Sequence, residues 1–187
     1  MREPVLKAAG FNSLMQVLHD MVTPEAHARF VAALPDATRA LVLSPPLAIS
    51  WLPLEHSAPV YEVAYETLFA RDDEAMLRLG RKQLHNDMTG IYRLLLRATT
   101  PAFVAAHVGK IYGTYTRDCG TLRAEAPTGT ALALLMEDRP YSSRPFCSYM
   151  RGSILGVLEL TGVRNLAVRM TELPSFPARC RFSATWS

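Results

Sequence analysis

Residues that build covalent frameworks and metal sites are scarce in this sequence. It holds only 3 cysteines and 5 histidines among its 187 residues. Cys119, Cys147 and Cys180 are far apart and never form a CxxC pair, which argues against a disulfide framework or a structural zinc site. His19 and His27 are separated by a Thr-Pro break, so they cannot share one helix face, and neither has a carboxylate at ligand spacing. We therefore expect no metal, and a reducing cytoplasm as the location.

Signatures of catalysis, membrane insertion and nucleic-acid binding are also missing. No glycine-rich phosphate loop occurs, and the stretch from Gly152 to Gly156 lacks the pattern of a nucleophile elbow. The N-terminus lacks the apolar core of a signal peptide, and no apolar run is long enough for a membrane span. The 20 Lys and Arg residues leave a net charge of +3 that is scattered along the chain, whereas a nucleic-acid surface needs clustered charge. We therefore expect a cytoplasmic protein that is not an enzyme, has no transmembrane segment and binds no nucleic acid.

Apolar residues make up 49% of the chain and recur with regular periods, which predicts a single domain over residues 1–187. We predict an α+β fold in which a helical N-terminal two-thirds packs on a small four-stranded antiparallel sheet, with a helix inserted between strands 2 and 3. The predicted helices begin at a cap on Asn12 or Ser13 and at Pro24, Asp36, Ser57, Asp73, Thr89, Pro101 and Arg144. The predicted strands cover 122–126, 131–136, 163–173 and 180–186, with a turn at 127–129. Gly152 and Gly156 are spaced for close packing of the last helix against a neighbour.

The helix predicted to begin at Pro101 supplies most candidate site residues. Its spacing places Phe103, His107 and Ile111 on one inward apolar face, and Tyr112 follows directly. An imidazole in an apolar pocket can ligate a haem or donate to a polar ligand, whereas a core histidine bonded to backbone is the commoner outcome. These four residues are our candidates for contact with an apolar ligand.

Cys147 is the fifth candidate, because it falls in the first turn of the last predicted helix. Arg144 and Arg151 are near it in sequence. Such a setting can activate a thiol for modification or direct it at a ligand, although a buried cysteine usually serves as a small hydrophobe. Arg139 and Arg144 flank a loop that could grip an anion, while solvent exposure is the more frequent fate of such arginines.

The last third of the chain resembles a known superfamily. Residues 146–159, Phe-Cys-Ser-Tyr-Met-Arg-Gly-Ser-Ile-Leu-Gly-Val-Leu-Glu, are followed by Thr161-Gly162-Val163 and later by Cys180-Arg181-Phe182 and Trp186. This pattern is similar to the C-terminal half shared by 4-vinyl-reductase-type domains, haem nitric-oxide-binding domains and TRAPP-type subunits of vesicle-tethering complexes. Upstream, residues 51–54, 92–96 and 101–115 resemble a family of uncharacterised bacterial proteins of similar length, common in myxobacteria. The resemblance implies a small-molecule-binding fold, and none of its motifs is catalytic.

Departures from the superfamily pattern bear on cofactors. Vinyl-reductase-type domains carry two cysteines in the last strand pair, but here Thr171 stands near the first place and only Cys180 remains, which argues against a metal or redox pair. Haem-binding members have an axial histidine before the hairpin and a Tyr-x-Ser-x-Arg motif after it. In this sequence the position of the axial histidine falls near Ala105, and His107 lies past it. The segment that begins at Tyr141 has the wrong spacing for the Tyr-x-Ser-x-Arg motif. We therefore expect no cofactor, haem included.

Two functions follow from the resemblance. In the first, an apolar pocket between the helices and the sheet holds a small apolar molecule, and the domain is a non-enzymatic sensor in cytoplasmic signalling. In the second, side chains fill the interior, and the chain is a homodimeric scaffold or adaptor with a protein partner and no ligand. An enzyme is disfavoured because no acid–base or nucleophile pair can be assembled. We favour the sensor, with homodimerisation common to both functions.

Overall fold

A computed structural model of the protein describes residues 3–88, 98–125 and 128–187. Helices dominate the N-terminal two-thirds and an antiparallel sheet lies near the C-terminus, which confirms the predicted α+β class. The helix predicted to start at Thr89 and the Pro127 part of the predicted turn lie outside the described residues.

The helices follow one another with short connections. Their bounds are α1 (Ala8–Met21), α2 (Pro24–Ala33), α3 (Asp36–Leu43), α4 (Leu54–Ser57), α5 (Pro59–Thr67), α6 (Asp73–Asp87), α7 (Pro101–Tyr115) and α8 (Arg144–Glu159). At Thr23, Thr100 and Ser143 the hydroxyl accepts the backbone N–H three residues on, and a proline stands in the first turn. Within the described ranges, no helix combines the length and the apolar character needed to cross a membrane.

Two predicted helix boundaries are wrong, each for a physical reason. Helix α1 begins at Ala8, before the predicted cap, because its first N–H groups donate to Ser50 and Ala48 of the loop before β2 (Trp51–Pro53). A side-chain cap is therefore not needed there. The helix predicted to start at Ser57 begins at Pro59 as α5, and a separate short helix, α4, precedes it, because Pro59 has no N–H to donate to the preceding turn.

The strands form two antiparallel sheets. Their bounds are β1 (Val5–Lys7), β2 (Trp51–Pro53), β3 (Thr116–Arg117), β4 (Thr121–Ala124), β5 (Ala131–Glu137), β6 (Ala167–Glu172) and β7 (Cys180–Thr185). A three-stranded sheet has the order β2-β1-β3, and a four-stranded sheet has the order β4-β5-β7-β6. The three-stranded sheet was not predicted, because strands of two or three residues are too short to show a period of two.

The four-stranded sheet carries the predicted helix insertion. Helix α8 connects β5 to β6, so it lies between the second and third strands in chain order. Leu134 of β5 pairs with Phe182 of β7, and both are buried. Their side chains join one apolar cluster with Phe11 of α1 and Met76 of α6. Helices and sheet therefore share a core, while the single domain over 1–187 stays a prediction.

Helices α6 and α8 cross at a distance that only glycine permits. A Cβ atom added at Gly152 of α8 would lie 1.9 Å from the carbonyl oxygen of Leu77 in α6. A Cβ atom at Gly80 of α6 would lie 2.0 Å from the carbonyl oxygen of Tyr149 in α8. The two backbones are therefore in direct contact, which confirms the predicted packing role of Gly152.

Two cysteines meet where α8 packs on the four-stranded sheet. The sulfur atoms of Cys147 in α8 and Cys180 in β7 lie 3.7 Å apart, and both residues are fully buried. The thiol of Cys180 donates to Cys147, and this bond together with burial raises the pKa of Cys180. The sequence argument against a cysteine pair considered only the last two strands and overlooked the helix that brings Cys147 to the sheet.

Gly152→Ala is expected to lower the free energy of unfolding by about 3 kcal/mol, because its methyl group would overlap the backbone of α6. For a domain of this length that is a fall in the thermal midpoint of about 6–12 °C, measurable by circular dichroism. Gly113→Ala in α7 is the matched control, since nothing lies within 4 Å of its added Cβ. The control should be neutral or stabilising by up to about 1 kcal/mol, as expected for glycine to alanine in a helix. Equal stability of the two variants would contradict the close crossing.

The three thiols are expected to resist modification in the folded protein. Cys119, Cys147 and Cys180 are each 1% exposed or less, and a thiolate must be reached by solvent to react. Ellman's reagent should therefore label all three quickly in concentrated guanidinium chloride and none quickly in native buffer. A thiol in the native protein that reacts as fast as free cysteine would contradict the burial.

Candidate functional site

A large cavity lies between helices α6, α7 and α8. Its volume is about 500 Å³, which falls within the usual range for small-molecule sites. The described residues that line it are mostly apolar, and helices α7 and α8 contribute most of them. Its apolar wall consists of Leu6, Leu84, Met88, Phe103, Val104, Val108, Ile111, Leu122, Phe146, Met150, Ile154 and Val157.

Of the four tyrosines among the described residues that line the cavity, Tyr61, Tyr112 and Tyr149 present neutral phenols. Burial raises the pKa of Tyr61 to about 12, and it raises the pKa of Tyr149 and of Tyr112 as well. The ring of Tyr61 lies 5.0 Å from that of Tyr149 and 5.1 Å from that of Phe146. These phenols are hydrogen-bond donors at neutral pH rather than acids, which agrees with a binding surface more than with a proton-transfer site.

A buried amide joins α1, α6 and α8 beside the cavity. The Tyr149 hydroxyl donates to Oε1 of Gln83 at 2.9 Å, and Nε2 of Gln83 donates to the carbonyl oxygen of Gly10 at 3.0 Å. Asp87, one turn along α6, accepts hydrogen bonds from Ser13 and Gln83, and burial raises the pKa of its carboxyl group. Both acceptors on this side of the cavity are thus already engaged.

Arg139 brings a positive charge to the cavity wall from the loop between β5 and α8. It is only 3% exposed. Its guanidinium carbon lies 3.9 Å from the ring centroid of Phe146, a stacked cation–π contact. Its Nη1 donates to the Tyr112 hydroxyl at 2.9 Å, and that hydroxyl donates to the carbonyl oxygen of Cys119 at 2.8 Å. The guanidinium is therefore held in one orientation.

No opposite charge in the described chain compensates Arg139. The described ranges contain every Asp and Glu of the sequence, and none of them forms an ion pair with its guanidinium. Its Nε atom is buried and has no hydrogen-bond partner among the described residues. A buried cation normally has a paired anion, because desolvation costs it several kcal/mol. The cavity wall therefore carries an unpaired donor and an unbalanced charge.

The predicted ligand-contact residues divide into two groups. Phe103, Ile111 and Tyr112 line the cavity, and Phe103 and Ile111 stand at its rim with 49% and 39% exposure. His107 does not line it, because its Nδ1 atom lies 2.8 Å from the carbonyl oxygen of Phe103 on its own helix. Cys147 does not line it either, because α8 turns this residue to Cys180 in the sheet.

No histidine of the described chain lines the cavity. His19 and His27 meet elsewhere, with ring centroids 4.9 Å apart, beside a smaller pocket of about 200 Å³. The prediction that they cannot share a helix face is compatible with this contact, since they come from α1 and α2. His85 lies 3.0 Å from the carboxylate of Glu159. In the described residues, no group of three or more His, Cys, Asp or Glu side chains could hold a metal ion.

Sequence reasoning missed the polar residues of the cavity. Arg139 was expected to face solvent as the more frequent outcome, and it is buried. Gln83 and Tyr149 gave no local signal, because a polar residue on a helix usually faces water. The one usable signal for Gln83 was its place on the apolar side of α6, one turn after Leu79.

Comparisons with known proteins identify the fold. No protein-family model matches the chain, and no curated protein matches it. Solved structures do match it over almost its whole length. The unliganded Fe(II) form of the H-NOX protein from K. algicida superposes with a TM-score of 0.71 and 13% identity, covering 97% of each chain. The oxygen complex of an oxygen-binding H-NOX domain related to soluble guanylate cyclases gives a TM-score of 0.65 and 11% identity, covering 97% of this chain and 95% of that chain.

These likenesses confirm the predicted resemblance to haem nitric-oxide-binding domains at the level of the fold. The identities are low, so the likeness concerns backbone architecture. Kinship with 4-vinyl-reductase-type domains, tethering subunits and the myxobacterial family stays a prediction. The chain has the fold of H-NOX domains.

Proposed function

We propose that this chain is a non-enzymatic sensor domain that binds a small, largely apolar molecule in the cavity between α6, α7 and α8, and that it acts in cytoplasmic signalling. The observation that carries the proposal is the cavity itself, about 500 Å³ with a mostly apolar wall. Phe103, Ile111 and Tyr112 are the ligand contacts on α7. Such concave apolar sites with few polar groups are typical of small-molecule binding.

The fold of the chain supports a sensing role. Its structural neighbours include a domain described as oxygen-binding and related to soluble guanylate cyclases. Fold alone does not define function, so the proposal depends on the cavity rather than on the neighbours. A scaffold whose interior is filled by side chains would not need this volume.

Haem, which the neighbouring proteins suggest, does not fit the residues of this cavity. Haem iron is normally held by His, Cys, Met or Tyr. No His or Cys of the described chain lines the cavity. Met88 and Met150 do line it, but methionine holds haem iron together with a histidine. Burial raises the pKa of Tyr61, Tyr112 and Tyr149, which opposes the tyrosinate that an iron would need. The ligand of this proposal is therefore an organic molecule without an iron centre.

A protein-interaction role is a second candidate, favoured by one exposed apolar patch. Leu43 at the end of α3 and Leu47 and Ile49 in the following loop are 70%, 74% and 77% exposed. These three exposed side chains fall within seven consecutive residues, and exposed apolar side chains that lie together often mark an interaction site. This patch is the surface through which the predicted homodimer would form, and it is separate from the cavity wall.

Val108→Phe is expected to reduce uptake of an apolar probe, because Val108 lines the cavity and a larger ring there would occupy it. N-Phenyl-1-naphthylamine, a neutral fluorophore that brightens in apolar sites, should bind the natural chain saturably. Its affinity for the variant should fall by about tenfold, or 1.4 kcal/mol.

Ala106→Phe is the matched control, since Ala106 lies on the exposed side of the same helix. It should bind the probe like the natural chain. Native mass spectrometry of the purified protein then shows whether a molecule is retained. A natural chain that neither binds the probe nor retains any molecule would contradict the sensor function.

Leu47→Glu combined with Ile49→Glu is expected to convert a dimer into a monomer, because charge on an exposed apolar patch opposes its burial. Light scattering at micromolar concentration measures the mass. Ala102→Glu on the exposed side of α7 is the control and should leave the mass unchanged. A natural chain that is monomeric at every concentration would contradict the predicted homodimer.

A further inference from the structure

Three arginines in the described chain have a buried Nε atom without a hydrogen-bond partner, and they differ in their burial and their counter-charge. Arg151 pairs with Glu74, and Arg181 pairs with Glu125. Arg139 has the same unpartnered Nε and no carboxylate. Of these three residues, Arg139 is also the one that lines the cavity.

The rest of the cavity wall does not offer Arg139 an anion. Asp87 is the acidic residue in the described lining, and it is engaged by Ser13 and Gln83. The nearest polar neighbours of the guanidinium are the neutral Tyr112 hydroxyl and Cys119, whose thiol pKa is raised by burial. A negative charge beside Arg139 therefore has to come from the molecule that enters the cavity.

We infer that the ligand is an amphipathic carboxylic acid, whose carboxylate binds the Arg139 guanidinium and whose apolar body lies along α7 and α8. This inference deepens the proposed sensor function and rests on it. It names the chemical class of the ligand and the residue that recognises its charged end.

The geometry of Arg139 suits a carboxylate. A guanidinium presents its donors as a planar fork, which matches the two oxygens of a carboxylate. The face of this fork is covered by Phe146 and one arm is held by Tyr112, so the plane of the guanidinium is fixed before a ligand binds. An arginine that is pre-oriented in this way loses little freedom when the acid binds.

The apolar body has a defined place as well. Val104 and Val108 of α7 and Ile154 and Val157 of α8 all line the cavity. Burial of a hydrocarbon chain against such side chains supplies binding free energy in proportion to its area, while the charged end supplies selectivity.

Displacement of N-phenyl-1-naphthylamine from the full chain tests the inference, with dodecanoate and dodecanol as competitors below their aggregation limits. The two have the same chain length and differ at the head group. Dodecanoate is expected to displace the probe at a concentration about tenfold lower than dodecanol. Arg139→Met is expected to abolish this preference while the probe still binds. Arg139→Lys, which keeps the charge but loses the fork, should retain only part of it.

Arg151→Met is the matched control, because it removes an arginine with an unpartnered Nε that does not line the cavity. It should keep the preference for dodecanoate. The thermal midpoint gives a second readout: dodecanoate should raise it more than dodecanol does for the natural chain, and the two should raise it equally for Arg139→Met. Without ligand, Arg139→Met should be as stable as the natural chain or more stable, since the variant removes an uncompensated buried charge.

The outcomes separate the two levels of the proposal. Equal displacement by dodecanoate and dodecanol from the natural chain would overturn the carboxylate inference and leave the sensor function standing. Failure of the natural chain to bind the probe or either competitor would overturn both. The comparison of dodecanoate with dodecanol on the natural chain decides the carboxylate inference by itself. A variant that fails to fold therefore does not affect this test.

Discussion

The contact between the backbones of α6 and α8 is the constraint on which the rest of the structure depends. Gly80 and Gly152 allow the two helices to approach so closely that a Cβ atom on either would overlap a carbonyl group. Helix α8 is thereby fixed against α6 on one side and against the four-stranded sheet on another. Because α8 also supplies Phe146 and Tyr149 to the cavity wall, this crossing determines the position of the site.

The cavity has an apolar interior and a few polar groups, some with hydrogen-bond partners and one, Arg139, without a counter-charge in the described chain. Tyr149, Gln83 and Asp87 satisfy one another and the backbone of α1. Arg139 is oriented by Phe146 and Tyr112 but has no counter-charge in the described chain. Among the described residues that line the cavity there is no histidine, and Arg139 is the cation.

Local chemistry predicted many elements correctly, and long-range contact explains the misses. The Thr-Pro pairs at Thr23 and Thr100 begin helices as expected, because a hydroxyl cap and an N-terminal proline act within one turn. The start of α1 was missed because its donors are satisfied by a loop some forty residues away in sequence. For the site, periodicity put Phe103 and Ile111 with His107 on one face of the helix, and Phe103, Ile111 and the neighbouring Tyr112 line the cavity. His107 and Cys147 lie on helices that line the cavity but do not line it themselves. His107 bonds to the carbonyl oxygen of Phe103, and Cys147 contacts Cys180 in the sheet.

The sequence by itself determined the α+β class, most helix starts and the packing role of Gly152, because periodicity, capping and side-chain size act locally. Only the tertiary structure decided that Arg139 is buried, that Cys147 meets Cys180 and that a cavity remains between α7 and α8. Each of these depends on which residues from distant parts of the chain come together. Burial and counter-charge are properties of that assembly, and no window of sequence contains them.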